Sequence, residues 1–137
     1  MNTLRIKSSN SDTAIEFAER KGDYFRVSIL GRAHSATRDV YAYTDADGLA
    51  RLFTEAAHDW KGWKEPKIWE SLEGELRIAL THDGKGEVTL KVDINADQGG
   101  TDPWRHHAAL SIDAGQLETI AGDASQFWAV VSERGDG

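Results

Sequence analysis

Hydrophobic and polar residues alternate along the first 44 positions with the two-residue period of strands that bury one face. Lys21, Gly22 and Asp23 form the turn between the second and third of four such segments. The pattern predicts a meander of four short strands, with Tyr41 and Tyr43 on the outward face of the fourth. The inward positions are Leu4 and Ile6, then Ile15 and Phe17, then Phe25, Val27 and Ile29, and finally Val40 and Ala42 within His34 to Thr44.

Helical periodicity follows this meander. Thr44 or Asp45 can accept a hydrogen bond from the free amides of a first helical turn. Lys61 and Gly62 supply a cationic last turn and a residue that tolerates left-handed backbone. The sequence therefore predicts a helix from Asp45 to about Lys61. Its buried stripe is Leu49, Leu52, Phe53, Ala56, Ala57 and Trp60.

The same order of elements recurs after a linker that runs from Trp63 to Lys67. A loop rich in Gly and Asp at Ala96 to Pro103 is expected to be exposed and mobile. A second helix is predicted from Ala114 to about Val131, capped by Asp113 with Gln116, and a frayed tail from Ser132 to Gly137. The strand patterns cover Ile68 to Leu72, Glu75 to His82, Glu87 to Asn95 and Trp104 to Ile112, with a hairpin turn at Asp83 to Gly86. The stripe of the second helix is Leu117, Ile120, Ala121, Ala124, Trp128 and Val131.

The two halves of the chain align with each other. Val40 to Trp60 lies over Ala108 to Trp128 without a gap, at a shift of 108 − 40 = 68 positions. The alignment indicates a tandem pseudo-repeat with half-repeats of about 1–62 and 63–131. Its helix positions pair as Leu49 with Leu117, Ala56 with Ala124 and Trp60 with Trp128, and Ala14 to Leu30 lies over Arg77 to Asp93 at a shift of 77 − 14 = 63.

Strands followed by a helix, twice, predict an α+β fold in a single domain over residues 1–137. We expect a two-layer arrangement, with a mostly antiparallel sheet of about seven or eight strands and two helices on one face. The outward face would be polar. The inward face would hold Ile15, Phe17, Phe25, Val27, Ile29, Leu76, Ile78, Leu80, Val88, Leu90, Val92, Leu110 and Ile112.

Composition narrows the function classes. Asp and Glu number 23 against 16 Lys and Arg, and the net charge of −7 works against binding to a nucleic-acid backbone. The chain has no cysteine, which removes thiol catalysis and thiolate metal sites and fits a reducing compartment. No segment approaches the roughly 20 apolar residues of a membrane span. We expect a cytoplasmic protein without nucleic-acid or membrane partners.

No catalytic or cofactor motif emerges. Asp45 and Asp47 resemble the start of a calcium loop, but Leu49 and Ala56 occupy positions that require oxygen ligands. His106 and His107 are neighbours in a predicted strand, so their side chains face opposite ways and cannot readily close on one ion. The chain also lacks a GxSxG elbow and a phosphate-cradling glycine loop. We therefore assign no catalytic, cofactor or metal residues.

Three of the five tryptophans lie close together in the sequence, at Trp60, Trp63 and Trp69. Such aromatic residues can anchor a partner, and they can equally belong to the core. The pattern favours core packing for Trp60 and Trp69 and leaves Trp63 as the one expected to be exposed.

The segment WKGWKEPKIWESLEGELRIAL, together with DADGLARLFTEAAHDW before it and DAGQLETIAG after it, resembles a small bacterial family, domain-of-unknown-function family 6228. The similarity extends from about Val40 to Trp128 and is weaker before that. The resemblance implies a compact bacterial cytoplasmic protein, and it supplies no catalytic residue, cofactor or substrate.

These observations favour a non-enzymatic binding protein that docks a partner protein, such as a toxin, through an open sheet face or through loops. An immunity protein or antitoxin-like inhibitor would be of this kind. The alternatives are a small-ligand binder or enzyme with a pocket between the repeats, using His82, His107 or Trp63, and a structural homodimer. The expected partner-binding residues combine aromatic and cationic side chains. They are Tyr24, Arg26, Tyr41, Tyr43, Trp63, Arg77, Lys91 and His107.

Overall fold

The computed structural model describes residues 3–42, 47–96 and 103–135, with side chains through residue 129. Within these residues, four strands and a helix follow one another twice, which confirms the predicted α+β order. The predicted capping residues Thr44 and Asp45, the centre of the loop from Ala96 to Pro103, and the last two residues of the chain lie outside the described residues. The second helix continues to Gly135, so the prediction of a frayed tail from Ser132 was wrong up to that residue. The elements are β1 (Leu4–Lys7), β2 (Ala14–Lys21), β3 (Tyr24–Leu30), β4 (Ser35–Tyr41), α1 (Gly48–His58), β5 (Lys67–Glu70), β6 (Leu76–His82), β7 (Glu87–Asn95), β8 (Arg105–Asp113) and α2 (Leu117–Gly135).

The eight strands form two four-stranded antiparallel sheets, each a meander in chain order. In the first sheet Phe17 lies opposite Val27, and in the second Ile78 lies opposite Val92. Short turns connect the strands, and short connections of this kind favour antiparallel neighbours. Each half-repeat thus forms its own sheet rather than adding strands to a shared one.

The two sheets meet where the strands of the first sheet end. Ser9 donates a backbone hydrogen bond to Ser111 at 2.8 Å, and the imidazole of His34 contacts that of His106. Ser9 follows β1 and His34 precedes β4, at the same end of the first sheet. Ser111 and His106 are about 17 Å apart along β8, close to the ~14 Å between β1 and β4. β8 therefore runs across the strand ends of the first sheet, as in orthogonally packed sheets.

A single cluster of buried residues includes side chains from both sheets and both helices. Every position of the predicted inward set is buried, which confirms the alternation along the strands. Trp128 from α2 lies against Phe17, Phe25 and Phe127, with ring-centroid distances of 5.4, 5.8 and 4.7 Å. Aromatic edge-to-face contacts of this kind add to the burial of apolar area. The core is thus continuous across the two half-repeats.

The helices pack against each other in opposite directions. Ala57 near the end of α1 shares a groove with Ala114 before α2, and Ala50 near the start of α1 shares another with Ser125. α2 is preceded by a 3-10 turn at Ala114–Gln116 and has the predicted capping box of Asp113 and Gln116. At α1 the cap position is Asp47, whose side chain makes no capping hydrogen bond.

α1 ends at His58, earlier than predicted, and this places Trp60 outside the helix. Gly62 adopts a φ of 145° and donates its N–H to the carbonyl of Asp59, so the chain turns away before the helix can bury another side chain. Trp60 is 51% exposed, whereas its counterpart Trp128 is 2% exposed. The prediction that Trp60 completes the buried stripe was wrong.

Trp63 was expected to be exposed, and that prediction was also wrong. Its ring is partly buried against the core, and its Nε1 donates to the carbonyl of Leu80 at 3.1 Å. The ring also contacts the imidazole of His82 and the ammonium of Lys67. Trp69 is buried, as predicted. The turn after α1 reverses the roles of Trp60 and Trp63, because it directs the earlier side chain outward and the later one onto the end of β6.

A bulge in β2 connects the first sheet to α2. Glu19 adopts a φ of 54°, and the pairing register of β2 with β3 shifts between Ala18 and Lys21. One extra residue reverses the side-chain alternation, so Arg20 points to the helix side. Its guanidinium donates to the carbonyl of Trp128 at 3.1 Å, and burial lowers the pKa of Arg20. The bulge thus directs the guanidinium of Arg20 towards α2.

No helix among the described residues combines the length and the apolar composition that a membrane crossing requires.

Candidate functional site

The predicted partner-binding residues lie on three separate parts of the molecule. Tyr24, Arg26 and Tyr41 lie on the outer face of the first sheet, and Tyr43 lies outside the described residues. Arg77, Lys91 and His107 lie on the outer face of the second sheet. Trp63 lies at the end of β6 and belongs to neither face. No single sheet face unites the seven described residues of the set, because the strands are divided between two sheets.

The first group forms a compact surface that we call the tyrosine face: Tyr24, Arg26, Asp39 and Tyr41. Tyr24 and Tyr41 are directly opposite in register, and their ring centroids are 4.8 Å apart. Tyr24 is 56% exposed. Arg26 Nε donates to Asp39 Oδ1 at 2.9 Å in the next register pair on the same face. This hydrogen bond and the charge of Asp39 raise the pKa of Arg26. Both the aromatic pair and the ion pair connect β3 to β4, so together they fix the register of these two strands.

The second group belongs to a row of charged residues across the second sheet. Glu70, Arg77, Asp93 and His107 are neighbours in register from β5 to β8. They line a hollow of about 320 Å³, together with Asn95, Arg105 and His106 among others. The carboxylates alternate with Arg77 and His107 along the row, which suits the binding of a small polar ligand and equally suits a solvated sheet face. Lys91 is exposed outside this hollow.

His82, one of the residues suggested for a pocket between the repeats, has both ring nitrogens engaged. Nδ1 accepts a hydrogen bond from the backbone N–H of Gly84 at 2.8 Å, and Nε2 faces the carbonyl of Trp60 at 2.9 Å. A nitrogen that accepts from an amide carries no proton, so Nε2 is the donor. His82 therefore fixes the turn after α1 to the hairpin turn after β6. Trp128 and its aromatic neighbours fill the core between the half-repeats.

Two polar features at the junction of the sheets were not predicted from the sequence. His34 Nδ1 lies 2.9 Å from His106 Nε2, although the two residues are 72 positions apart. Glu75 is 6% exposed, accepts from Ser71 Oγ at 2.7 Å, and accepts from the backbone N–H of Tyr41 at 3.3 Å. Both features join the first sheet to the second. Nothing in the local sequence indicates them, because each depends on how the sheets cross.

Acidic groups in the turns are held in their charged form. Hydrogen bonds from the backbone N–H groups of Glu87 and Lys85 lower the pKa of Asp83. A hydrogen bond from Lys67 is the main cause of the lowered pKa of Asp59. These carboxylates fasten the hairpin after β6 and the turn after α1. They belong to the scaffold rather than to a catalytic set.

Within the described ranges, no three His, Asp or Glu side chains are grouped so that they could hold a metal ion together. Described residues of the helices and of the turn before α2 line two grooves between the helices. The larger, about 540 Å³, is lined by Ala57, His58, Trp60, Ala114, Gly115 and Glu118. The other, about 400 Å³, lies near Asp47 and Trp128. Trp60 places exposed aromatic surface at the rim of the larger groove.

Comparison with curated proteins finds no match for this chain. A family model matches residues 6–130, which include all of both sheets except the first two residues of β1. The match also covers the tyrosine face, the charged row and the junction between the sheets. The chain therefore belongs to the family of unknown function DUF6228.

Proposed function

We propose that this protein is a non-enzymatic binding protein of the bacterial cytoplasm that docks a partner protein through the tyrosine face. The favoured partner is a toxin with a basic surface, which would make this chain an immunity protein or antitoxin-like inhibitor. The observation that carries the proposal is the exposed contact of Tyr24 with Tyr41. The lack of cysteine is in keeping with a reducing compartment.

The tyrosine face has the properties of a binding hot spot in a protein interface. Tyrosine and arginine are enriched at positions that contribute most to binding. The cross-strand contact with Tyr41 and the neighbouring Arg26–Asp39 pair hold Tyr24 on a rigid strand. A rigid aromatic side chain loses little conformational entropy when it is covered by a partner. The exposed ring of Tyr24 is thus arranged for contact before any partner arrives.

The charge of the chain supports a basic partner. A net charge of −7 creates a field that attracts a cationic protein and speeds its association. At the tyrosine face, Asp39 keeps 67% of its side chain exposed while bonded to Arg26, so its carboxylate stays accessible to a cationic residue of the partner. We therefore expect association to slow as the salt concentration rises.

The test uses the products of the genes adjacent to the one that encodes this chain. Each product is expressed alone to score toxicity, co-expressed with this chain, and titrated with it as purified protein by calorimetry. Tyr24→Ala is expected to weaken binding about 30-fold or more, which corresponds to about 2 kcal/mol. Because Tyr24 is exposed, this variant should keep its fold, and circular dichroism checks that it does.

Trp60→Ala is the matched control. Trp60 is an aromatic residue of comparable exposure that lies outside the tyrosine face, so its removal should leave the affinity within about twofold. If no adjacent gene product binds and each is harmless without this chain, the immunity proposal is lost. If Trp60→Ala weakens binding and Tyr24→Ala does not, the binding surface is the groove between the helices.

The hollow at the charged row favours a second candidate, a small-ligand binder. Histidine and carboxylate side chains converge there, and Arg77 adds a group that recognises carboxylates. The expected ligand is a small carboxylic acid that also bears a cationic group. Thermal-shift titration with amino acids and short peptides tests this, and Arg77→Ala should remove any stabilisation. An unchanged melting temperature across the series would reject this candidate.

A further inference from the structure

The two half-repeats place one histidine each at the junction of their sheets. His34, just before β4, directs Nδ1 to Nε2 of His106 in β8, at 2.9 Å. The ring centroids are 5.0 Å apart, and the ring planes are inclined by 29°. His34 is exposed and His106 is partly exposed, so solvent reaches the pair. Two imidazole nitrogens from different parts of the chain thus face each other at an accessible site.

The chain around His34 is shaped to hold its ring there. A Cβ atom at residue 31 would lie 2.6 Å from His34 Nε2, so only glycine leaves space for the imidazole. The backbone N–H of Gly31 also donates to the carbonyl of His34 at 2.8 Å, which closes the turn. On the other strand, His106 and His107 point to opposite faces, and His107 lies near Asp93 instead. Gly31 thus leaves room for the ring of His34, and the alternation along β8 separates His106 from His107.

From this geometry we propose that His34 and His106 together bind a divalent transition-metal ion, with Cu²⁺ preferred over Ni²⁺. Metal–imidazole bonds are about 2.0–2.1 Å long, so two nitrogens at 2.9 Å subtend about 90° at a shared ion. That angle matches adjacent positions of a square-planar or octahedral ion. A tetrahedral ion would need the nitrogens about 3.4 Å apart. The site is independent of the tyrosine face and of any protein partner.

The protonation chemistry of the pair is compatible with a metal ion. Neutral imidazole is the form of histidine that binds metals. The hydrogen between the two rings can move to the far nitrogen of its own imidazole, so that both facing nitrogens present lone pairs.

The remaining coordination positions would be filled by water. Among the residues that the structure describes, no third histidine or carboxylate completes the set. A site with two imidazoles and several waters is open to exchange, and it selects ions mainly by their intrinsic affinity for nitrogen. The order of affinity for such ligands places Cu²⁺ above Ni²⁺ and Zn²⁺. The chemical class of the ligand is therefore a nitrogen-seeking divalent cation.

The test uses protein without an affinity tag, treated with a chelator and dialysed into imidazole-free buffer. Titration with Cu²⁺ alone at neutral pH, followed by calorimetry and electron paramagnetic resonance, should show one ion per chain with two coordinated imidazole nitrogens. His34→Ala and His106→Ala should each weaken binding at least tenfold. Gly31→Ala should weaken it as well, although both ligands are retained, because the added Cβ displaces the His34 ring.

His107→Ala and His58→Ala are the matched controls, because both residues are exposed histidines outside the pair. Neither should change the affinity more than twofold. The proposal fails if the double variant His34→Ala/His106→Ala still binds Cu²⁺ as the wild type does, or if His107→Ala removes the ion. It also fails if the resonance spectrum of the wild-type complex shows no pair of imidazole nitrogens. That spectrum requires no variant, so misfolding of a variant cannot obscure the outcome.

Discussion

Replacing Trp128 with alanine is expected to lower the free energy of unfolding by about 3–5 kcal/mol. The indole is 2% exposed and contacts three phenylalanine rings that come from β2, β3 and α2. Its truncation removes buried apolar area and leaves a cavity where the first sheet meets the second helix. The indole Nε1 has no hydrogen-bond partner among the described residues, so the loss comes from packing. Urea denaturation followed by circular dichroism measures the change.

Trp60→Ala provides the comparison, since the two tryptophans occupy equivalent positions of the pseudo-repeat. Because Trp60 is exposed, its replacement should change the free energy of unfolding by less than about 0.5 kcal/mol. Equal destabilisation by the two variants would contradict the core described above. A loss below about 1 kcal/mol for Trp128→Ala would do the same.

Glu75→Leu is expected to destabilise the protein by about 2–4 kcal/mol. The carboxylate of Glu75 satisfies Ser71 Oγ in the β5–β6 turn and the backbone N–H of Tyr41 at the end of β4. Leucine has a similar volume but removes this acceptor from the buried Ser71 hydroxyl and from the partly buried N–H of Tyr41. The loss of an acceptor costs about 1–3 kcal/mol for a buried donor. Relief from burying a charge offsets part of this loss. Glu75→Gln keeps one acceptor oxygen, so we expect it to lose about half as much.

The matched control for Glu75 is Glu70→Leu. Glu70 is an exposed glutamate on the neighbouring strand, and its replacement should stay within about 0.5 kcal/mol of the wild type. Urea denaturation at neutral pH compares the three variants. If Glu75→Leu unfolds at the same urea concentration as Glu70→Leu, Glu75 does not hold the two sheets together.

The strands and the second helix could be predicted because their signals are local. Alternation of Phe25, Val27 and Ile29 with polar residues indicates a strand with one buried face, and all three are buried. The capping box of Asp113 and Gln116 likewise lies within four consecutive residues. The order of four strands and a helix, repeated, follows from such local signals alone.

The junction between the sheets could not be predicted, because it depends on contacts between distant residues. The alternation of apolar residues is the same whether eight strands form one sheet or two, since it reports only which face is buried. The helical periodicity also did not indicate that Trp60 is exposed, because the end of α1 depends on backbone geometry at Asp59 and Gly62. Within the candidate sites, the Tyr24–Tyr41 contact extends a predicted group, whereas the pairing of His34 with His106 required the fold.

The crossing of β8 over the strand ends of the first sheet has a consequence for folding kinetics. Ser8 accepts a hydrogen bond from the backbone N–H of Ser111, a contact that spans 103 residues of chain. The chain must close this large loop before β8 can cover the end of β1. Contacts between residues so far apart in the sequence slow folding. During synthesis the first four strands leave the ribosome well before β8, with a sheet end that nothing yet covers. Until β8 has been synthesised, this end of the first sheet stays uncovered. We expect the nascent chain to be most prone to aggregation during this interval.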